Sequence, residues 1–307
     1  MFAYAIRRIA GAIPTLLIVI TIAFFMMRLA PGGPFDREKS LPPEIEANIL
    51  KAYNLDKPLH QQYFDYLKNV FQGDFGPSYK YLDFTVTDLI VAGFPVSLKL
   101  GLSAIILAIL IGVTTGTIAA LQQNSKFDYM VMGAAMTGIA IPNFVMAPLL
   151  ALIFGVYLSI LPVAGWGGGA FPNMIMPVIT LALPQIAYIS RLTRGSMVET
   201  MNSNHIRTAR AKGLAEKIVV IRHALRGGLL PVISYLGPAT AQIITGSVVI
   251  ESIFDVPGIG RYFVNGALNR DYPVVMGVVI FFAVLIILLN LIVDLLYGYL
   301  DPRVKVD

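Results

Sequence analysis

HIRTARAKGLAEKIVVIRHALR, residues 205–226, holds six Lys/Arg and a single acid, Glu216, in a 307-residue chain that is 56% hydrophobic and 13% charged. So basic a segment between two apolar runs has two readings. It marks the side of a membrane on which it stays, or it is a docking surface for a partner. Both presuppose a membrane, and the composition provides one. A mean hydropathy of +0.73 over this length does not fit an apolar core under a polar skin. It fits a chain made mostly of transmembrane helix. The net charge of +5 does not point to nucleic acid, because no aromatic-interleaved basic surface accompanies it and little soluble chain is left to carry one. The chain has no cysteine, so it has no disulfide framework and no thiolate site.

A bilayer core needs about 20 apolar residues per helix. Six runs qualify: 9–29, 98–121, 130–158, 173–193, 228–251 and 274–298. The first follows Arg7 and Arg8, lacks a small-x-small cleavage site, and is expected to be a retained helix rather than a signal peptide. Prolines interrupt three runs: Pro142 and Pro148, Pro177 and Pro184, Pro231 and Pro238. Bundled membrane helices tolerate them, because neighbours satisfy the freed carbonyls. Gly112 and Gly116 in "GVTTG" form a small-xxx-small pair that lets another helix approach closely.

Short loops set the orientation. Lys126, the loop 194–227 with Arg194, Arg207, Arg210, Lys212, Lys217, Arg222 and Arg226, and the tail with Arg303 and Lys305 all fall on one side with Arg7 and Arg8. The loop 159–172 has no Lys or Arg, and 252–273 has only Arg261 and Arg270. Both termini and the opening stretch are therefore cytoplasmic. The expected organisation is a first transmembrane helix (1–29), an extracytoplasmic helical lobe (30–97), a core of five further helices (98–299) and a cytoplasmic tail (300–307). In the lobe, 40–55 reads as a helix capped by Ser40. A second, amphipathic helix is expected with Asp56 as cap, Pro58 in its first turn and Gly73 as its stop.

No chemistry of a motor or an enzyme is present. There is no GxxxxGK[ST], GxSxG or HExxH. His60, His205 and His223 lack metal-ligand spacing. Lys99, Glu251 and Asp294 fall near helix ends, where snorkelling or interfacial pairing explains them. A self-contained secondary transporter would place such a charge near the midplane and often shows an internal repeat. A membrane anchor for the lobe would not need six helices.

Within the opening stretch, 204–212 reads as a short helix with Ala209 and Ala211 among basic residues, and Gly213 as a left-handed stop. Small side chains let the backbone enter a groove, and flanking arginines suit acidic rims. On these grounds docking outweighs mere topology marking only slightly.

The segment resembles the cytoplasmic EAA loop of ABC-importer permeases. Gly213 and Pro231 fall at that loop's Gly and Pro positions, with Thr208 and Ala209 after its first position. That first position, usually Glu, is Arg207 here, as in the peptide branch of the family. "FFMMRLAPGGPF" (24–35), "LPVAGW" (161–166), "VIESIFDVPGIGRYFVNGALNRDYP" (249–273) and "DPR" (301–303) resemble the same branch, nearest the oligopeptide importers; dipeptide, nickel and glutathione permeases share the frame. The resemblance implies an all-α type I importer permease of a bacterial cytoplasmic (inner) membrane. It implies a second homologous permease, two ATPase subunits that carry ATP and Mg, an extracytoplasmic peptide-binding protein, and no cofactor on this chain. It makes Arg207, Thr208, Ala209, Arg210, Ala211, Lys212 and Gly213 the ATPase dock. Pro257, Gly258 and Gly260 shape an outer turn, equally a plain tight turn or a binding-protein contact. Thr137, Asn143, Tyr235, Thr240, Gln242 and Thr245 are pathway-lining candidates, for which helix–helix hydrogen bonding is at least as good a reading.

Overall fold

The computed structural model describes residues 2–29, 55–81 and 83–300, and among them it is helical, with one isolated bridge between Pro77 and Thr85. In chain order the elements are α1 (Phe2–Leu29), α2 (Leu59–Phe71), α3 (Val86–Leu121), α4 (Lys126–Ala140), α5 (Asn143–Leu150, running on as a π-helix over Ala151–Tyr157) and α6 (Phe171–Met201). They continue with α7 (Asn204–Ala211), a helical return over 216–228, α8 (Leu230–Gly246), α9 (Val248–Ile253), α10 (Ile259–Leu268) and α11 (Tyr272–Leu300). Among the described residues five helical segments, with α8 and α9 taken as one (Leu230–Ile253), are long and apolar enough to cross a bilayer, and α4 with the following helix Asn143–Tyr157 makes a sixth crossing if counted as one broken span.

That break falls in the expected proline-interrupted run over 130–158. The two pieces meet at 101°. Pro142 has extended ψ (144°) and no N–H to give, so α4 stops at Ala140 and α5 starts afresh. Pro177 and Pro184, by contrast, lie inside one continuous helix. The fifth run divides at Ser247 into α8 and α9. Three boundaries also move. Arg7 and Arg8 lie within α1 rather than before it. The helix α3 begins at Val86, twelve residues ahead of the expected 98. Its start is fixed by a capping box, with Thr85 and Asp88 exchanging hydrogen bonds of 3.0 and 3.1 Å. Asp88 in its first turn and the internal Pro95 interrupt the apolar run over 86–97. The helix α6 extends to Met201, so Arg194 belongs to a span and not to the loop.

The centre of the bundle is the packing of α3 on α6. Leu100, Ala104 and Ala108 of α3 share a buried cluster with Met176, Ala182 and Ile189 of α6. A Cβ on Gly112 would sit 2.8 Å from the Ile189 side chain, and one on Gly116 would run into the Ser190 carbonyl and stand 2.8 Å from Thr193 Cβ. Between them the Thr115 hydroxyl bonds to that of Ser190 at 3.1 Å. The "GVTTG" pair therefore does what its spacing says. In lipid, helices gain little from apolar burial against each other, and close backbone approach is what holds them.

On the outer side, α2 lies against α1. The Tyr63 and Thr21 hydroxyls bond at 2.6 Å, and Tyr63 packs edge-on to fully buried Phe24. The cap of α2 differs from expectation: Pro58 occupies the cap position with ψ 142°, no side chain caps it, and the helix starts at Leu59. The stop at Gly73 (φ +78°) is as expected. The expected helix over 40–55 lies outside the described residues except for Leu55. Residues 78–80 are tied to the far end of the chain by Asp271, which is fully buried. Its carboxylate accepts from the Ser78 hydroxyl (2.5 Å) and from the Tyr79 and Lys80 N–H groups (3.1 and 3.2 Å).

The α3–α6 contact yields a prediction. Gly116→Val should destabilise the protein by about 1–3 kcal/mol or more, as overpacking of a close contact does. Gly133→Ala, where a Cβ meets nothing within 4 Å, should be near neutral. Thermal unfolding of the two purified variants compares them; equal behaviour would contradict the close-approach reading.

Candidate docking site on the cytoplasmic face

Seven candidate residues, 207–213, lie on or beside α7, which follows α6 after the two-residue turn at Asn202 and Ser203. Ser203 takes extended ψ (158°) ahead of the helix, but its hydroxyl donates to the Thr200 carbonyl at 2.5 Å instead of capping α7. The helix ends in a Schellman arrangement. The N–H of Gly213 bonds to Arg210 O (2.9 Å) and that of Leu214 to Ala209 O (3.4 Å), with Gly213 at φ +73°. This is the left-handed stop that the sequence implies. A Cβ on Gly213 would meet no atom within 4 Å. Its glycine is required by backbone angle alone, and its backbone stands open to the outside.

Helical period sorts the candidates into two sets. Ile206 and Ala209 are buried against Ala120, Met197, Val219, Val220 and Ala224. Arg207, Thr208, Arg210, Ala211, Lys212 and Gly213 are exposed. The inclusion of Ala209 in the docking face is thereby corrected: at i+3 from Ile206 it faces inward and seats α7 on the end of α6 and on the return 216–228. Arg210 also differs from a cation waiting for an outside acid. Its guanidinium holds Glu216 at 2.6 and 3.1 Å, which closes the loop across Gly213. The hydrogen bonds from Arg210, helped by its charge, keep the Glu216 carboxyl below its usual range. The Thr208 hydroxyl donates to Asn204 O at 3.0 Å. What remains facing out is a short basic surface of Arg207, Thr208, Ala211, Lys212 and Gly213.

The platform under α7 is fixed by a pair that the sequence did not reveal. Arg194, in the last turns of α6, makes two 2.6 Å bonds to Asp128 at the start of α4. Asp128 is 1% exposed and accepts a further bond from the Asn124 N–H at 2.9 Å. The pair clamps α4 to α6 where the chain enters the cytoplasm.

The outer candidates resolve differently. Gly258 and Gly260 are buried under Glu251, and a Cβ on either would run into that carboxylate. Glu251 itself is fully buried; it accepts from the Ser247 hydroxyl (2.5 Å) and from the Gly260 N–H (2.8 Å). Ser97 of α3 accepts from the Ile259 N–H at 2.9 Å. The turn is therefore internal packing that joins α3, α9 and α10, and of the three candidates Pro257 alone is partly exposed. Glu251 is fully buried rather than snorkelling, and no cation pairs with it among the described residues. Lys99 donates to Gly169 O at 3.0 Å beside the Trp166 ring, and Asp294 pairs with Arg8 at 3.0 Å.

The pathway candidates do not converge. Thr137, Thr240 and Thr245 each donate to the carbonyl four residues back, at 3.0, 2.7 and 2.8 Å. Asn143 is half-buried at the start of α5, and Gln242 is exposed on α8. Tyr235 donates to Gln185 at 2.6 Å and stacks on Tyr188 at 4.2 Å, which is a contact between α8 and α6. The cavities between α1 and α11 and under α2 contain none of the six.

Comparison with known proteins adds the following. Residues 112–306 match the family described as binding-protein-dependent transport system inner membrane component, and 1–101 match the N-terminal segment of such membrane components. The oligopeptide transport system permease protein OppB of Salmonella typhimurium is 57% identical over 99% of this chain and 100% of its own length. The Haemophilus influenzae protein of the same name is 54% identical over the same shares. The dipeptide transport system permease protein DppB of Bacillus subtilis is 45% identical over 99% of this chain and 98% of its own. A solved structure of the MetNI methionine ABC transporter, in an inward-facing form, has a chain that superposes with TM-score 0.60. It does so at 15% identity over 69% of this chain and 96% of that one, a likeness of fold.

Two predictions follow from the geometry of the platform and loop. Arg194→Ala leaves Asp128 buried without its partner and should cost about 3–5 kcal/mol, read as a fall in membrane-inserted protein and in unfolding temperature. Asp128→Asn in the same chain should recover part of the loss. For the Arg210–Glu216 tie, the sign follows from the lowered carboxyl pKa: the tie is fully present at neutral pH and is lost as pH falls through that lowered value. A spin label at Lys217 should stay ordered down through the ordinary glutamate range and loosen only below it, whereas in Glu216→Gln it should be loose throughout.

Proposed function

This chain belongs to the family of binding-protein-dependent transport system inner membrane components, and from that premise we propose that it is one permease subunit of an ATP-driven importer of oligopeptides. The subunit is no enzyme. It supplies half of a transmembrane pathway, a second homologous permease supplies the rest, and two ATPase subunits carry ATP and Mg. An extracytoplasmic peptide-binding protein delivers the cargo to the outer face. The outward surface of α7 enters a cleft of one ATPase, with Ala211 and Gly213 allowing close approach and Arg207 and Lys212 meeting acidic groups at its rim. ATP binding draws the ATPases together, α7 moves with its ATPase, and the permease pair passes from inward-facing to outward-facing. Hydrolysis resets it. ATP does this by binding one of two packed states better than the other.

The observation that carries the reading is α7 itself: a helix of eight residues, seated by Ile206 and Ala209 and braced by Arg210–Glu216, that turns small and basic residues outward. A mere topology marker needs the charge but not the seat, the brace or the open backbone at Gly213. Peptide cargo is supported by the names of the relatives, and oligopeptide over dipeptide by 54–57% identity against 45%.

Gly213→Asp tests the dock. Aspartate tolerates the left-handed region better than most residues, so the fold is kept, while a side chain and a negative charge enter the proposed interface. The variant should insert at normal levels and lose peptide uptake; normal uptake at normal membrane levels would contradict the dock. Competition of radiolabelled tetrapeptide uptake by dipeptides and by longer peptides decides the cargo, and stronger competition by dipeptides would move the assignment to them.

A further inference from the structure

On the cytoplasmic side, α1 and α11 diverge and leave a crevice of about 620 Å³. It is lined by Arg7, Arg8, Gly11, Thr15, Asn290 and Asp294 among others. We propose that this crevice binds the headgroup of one anionic phospholipid of the cytoplasmic leaflet. The inference is independent of the cargo and of the docking helix.

Four features of the crevice support it. First, depth: Arg8 lies six residues after Phe2 and Asp294 six residues before Leu300, so both stand about 9 Å from the cytoplasmic ends of their helices, at headgroup level. Second, charge: among the lining residues two arginines face one aspartate. Arg8 and Asp294 pair at 3.0 Å with 54% and 32% of their side chains exposed, and Arg7 leaves one net positive charge, which one phosphodiester balances. Third, polarity: Asn290 lies one turn deeper than Asp294, and its buried Oδ1 has no hydrogen-bond partner. As an acceptor, this oxygen suits a donor such as a hydroxyl of a glycerol headgroup. Fourth, the walls: Ile9 lines the crevice, and Ile13 and Leu288, more than a turn deeper than Arg8 and Asp294 on the same two helices, are exposed, an apolar surface for acyl chains. A free phosphate would use the arginines but not this surface. Basic crevices between transmembrane helices on the cytoplasmic side are a recurring place for anionic headgroups.

Two variants act on separate features. Arg7→Gln removes the net charge. Gly11→Leu fills the crevice without a clash, because a Cβ there meets nothing within 4 Å. The transporter, purified with its native partners, is placed in phosphatidylcholine nanodiscs with a small fraction of phosphatidylglycerol. Lipid retained after release is then counted by native mass spectrometry. Wild type should keep one phosphatidylglycerol in preference to phosphatidylcholine. Arg7→Gln should weaken that preference about fivefold, the worth of one surface cation near a membrane, and Gly11→Leu should abolish it. Inorganic phosphate should not displace the lipid. Equal retention of the two lipids, full retention by Gly11→Leu, displacement by phosphate, or a helix of the second permease cross-linking into the crevice would each overturn the proposal.

Discussion

At Gly112 and Gly116 the backbone of α3 rests on that of α6, at a distance that admits no side chain. Much of the rest of the molecule is placed from that contact. It sets α6, and α6 is the element that joins the two faces of the membrane. Its first residues follow the outer loop, and its last residues lead through one short turn into α7. Because lipid gives helices little apolar reason to associate, removing two Cβ atoms is what lets dispersion contacts and the Thr115–Ser190 hydrogen bond act. Leu100 and Ala104 of α3 then share one buried cluster with Val232 and Ala239 of α8.

Three buried carboxylates take up where close packing ends. Asp128 binds α4 to α6 through Arg194, Glu251 binds the turn before α10, and Asp271 binds residues 78–80 to the start of α11. Each is almost or fully inaccessible, and each would be costly if its bonds were missing. They sit at the ends of spans, where a carboxylate can gather backbone N–H groups that no helix satisfies. The result is a bundle whose packed parts reach both ends of the spans, with α7 at the end of α6.

The spans, the close-approach pair and the left-handed stop were legible because each rests on local chemistry. Twenty apolar residues, two glycines four apart and one glycine after a basic helix carry their meaning wherever they occur. The break at Pro142 was not legible, because proline inside an apolar run is compatible with both a kink, as at Pro177 and Pro184, and a full turn. Which one forms depends on neighbours. Asp128, Asp271 and the role of Glu251 were missed for the same reason: their partners are 66, 192 and 9 residues away. Ala209 read as docking surface because it is small; only the register set by Ile206 shows that it faces inward. Periodicity over 204–211, with Ile206 the single large apolar residue, was the signal that could have found it. The pathway candidates were chosen by polarity alone, and four of them make hydrogen bonds within or between helices instead.

The proposed movement of α7 reaches the bundle most directly through α6, which it follows in the chain, and Pro177 and Pro184 inside α6 are the places where that transmission could fail. The chain has no cysteine, so labels at Phe171, 78% exposed, and at Asn204, exposed at the start of α7 and outside the docking surface, can be introduced cleanly. Pulsed electron spin resonance on the complete transporter, with and without ATP, measures the span between them, along a helix about 46 Å long. If α6 carries the motion of α7, the distance changes by less than one helical turn, about 5 Å, while transport proceeds. A larger change on ATP binding would show that α6 flexes at its prolines and that the coupling runs through another element.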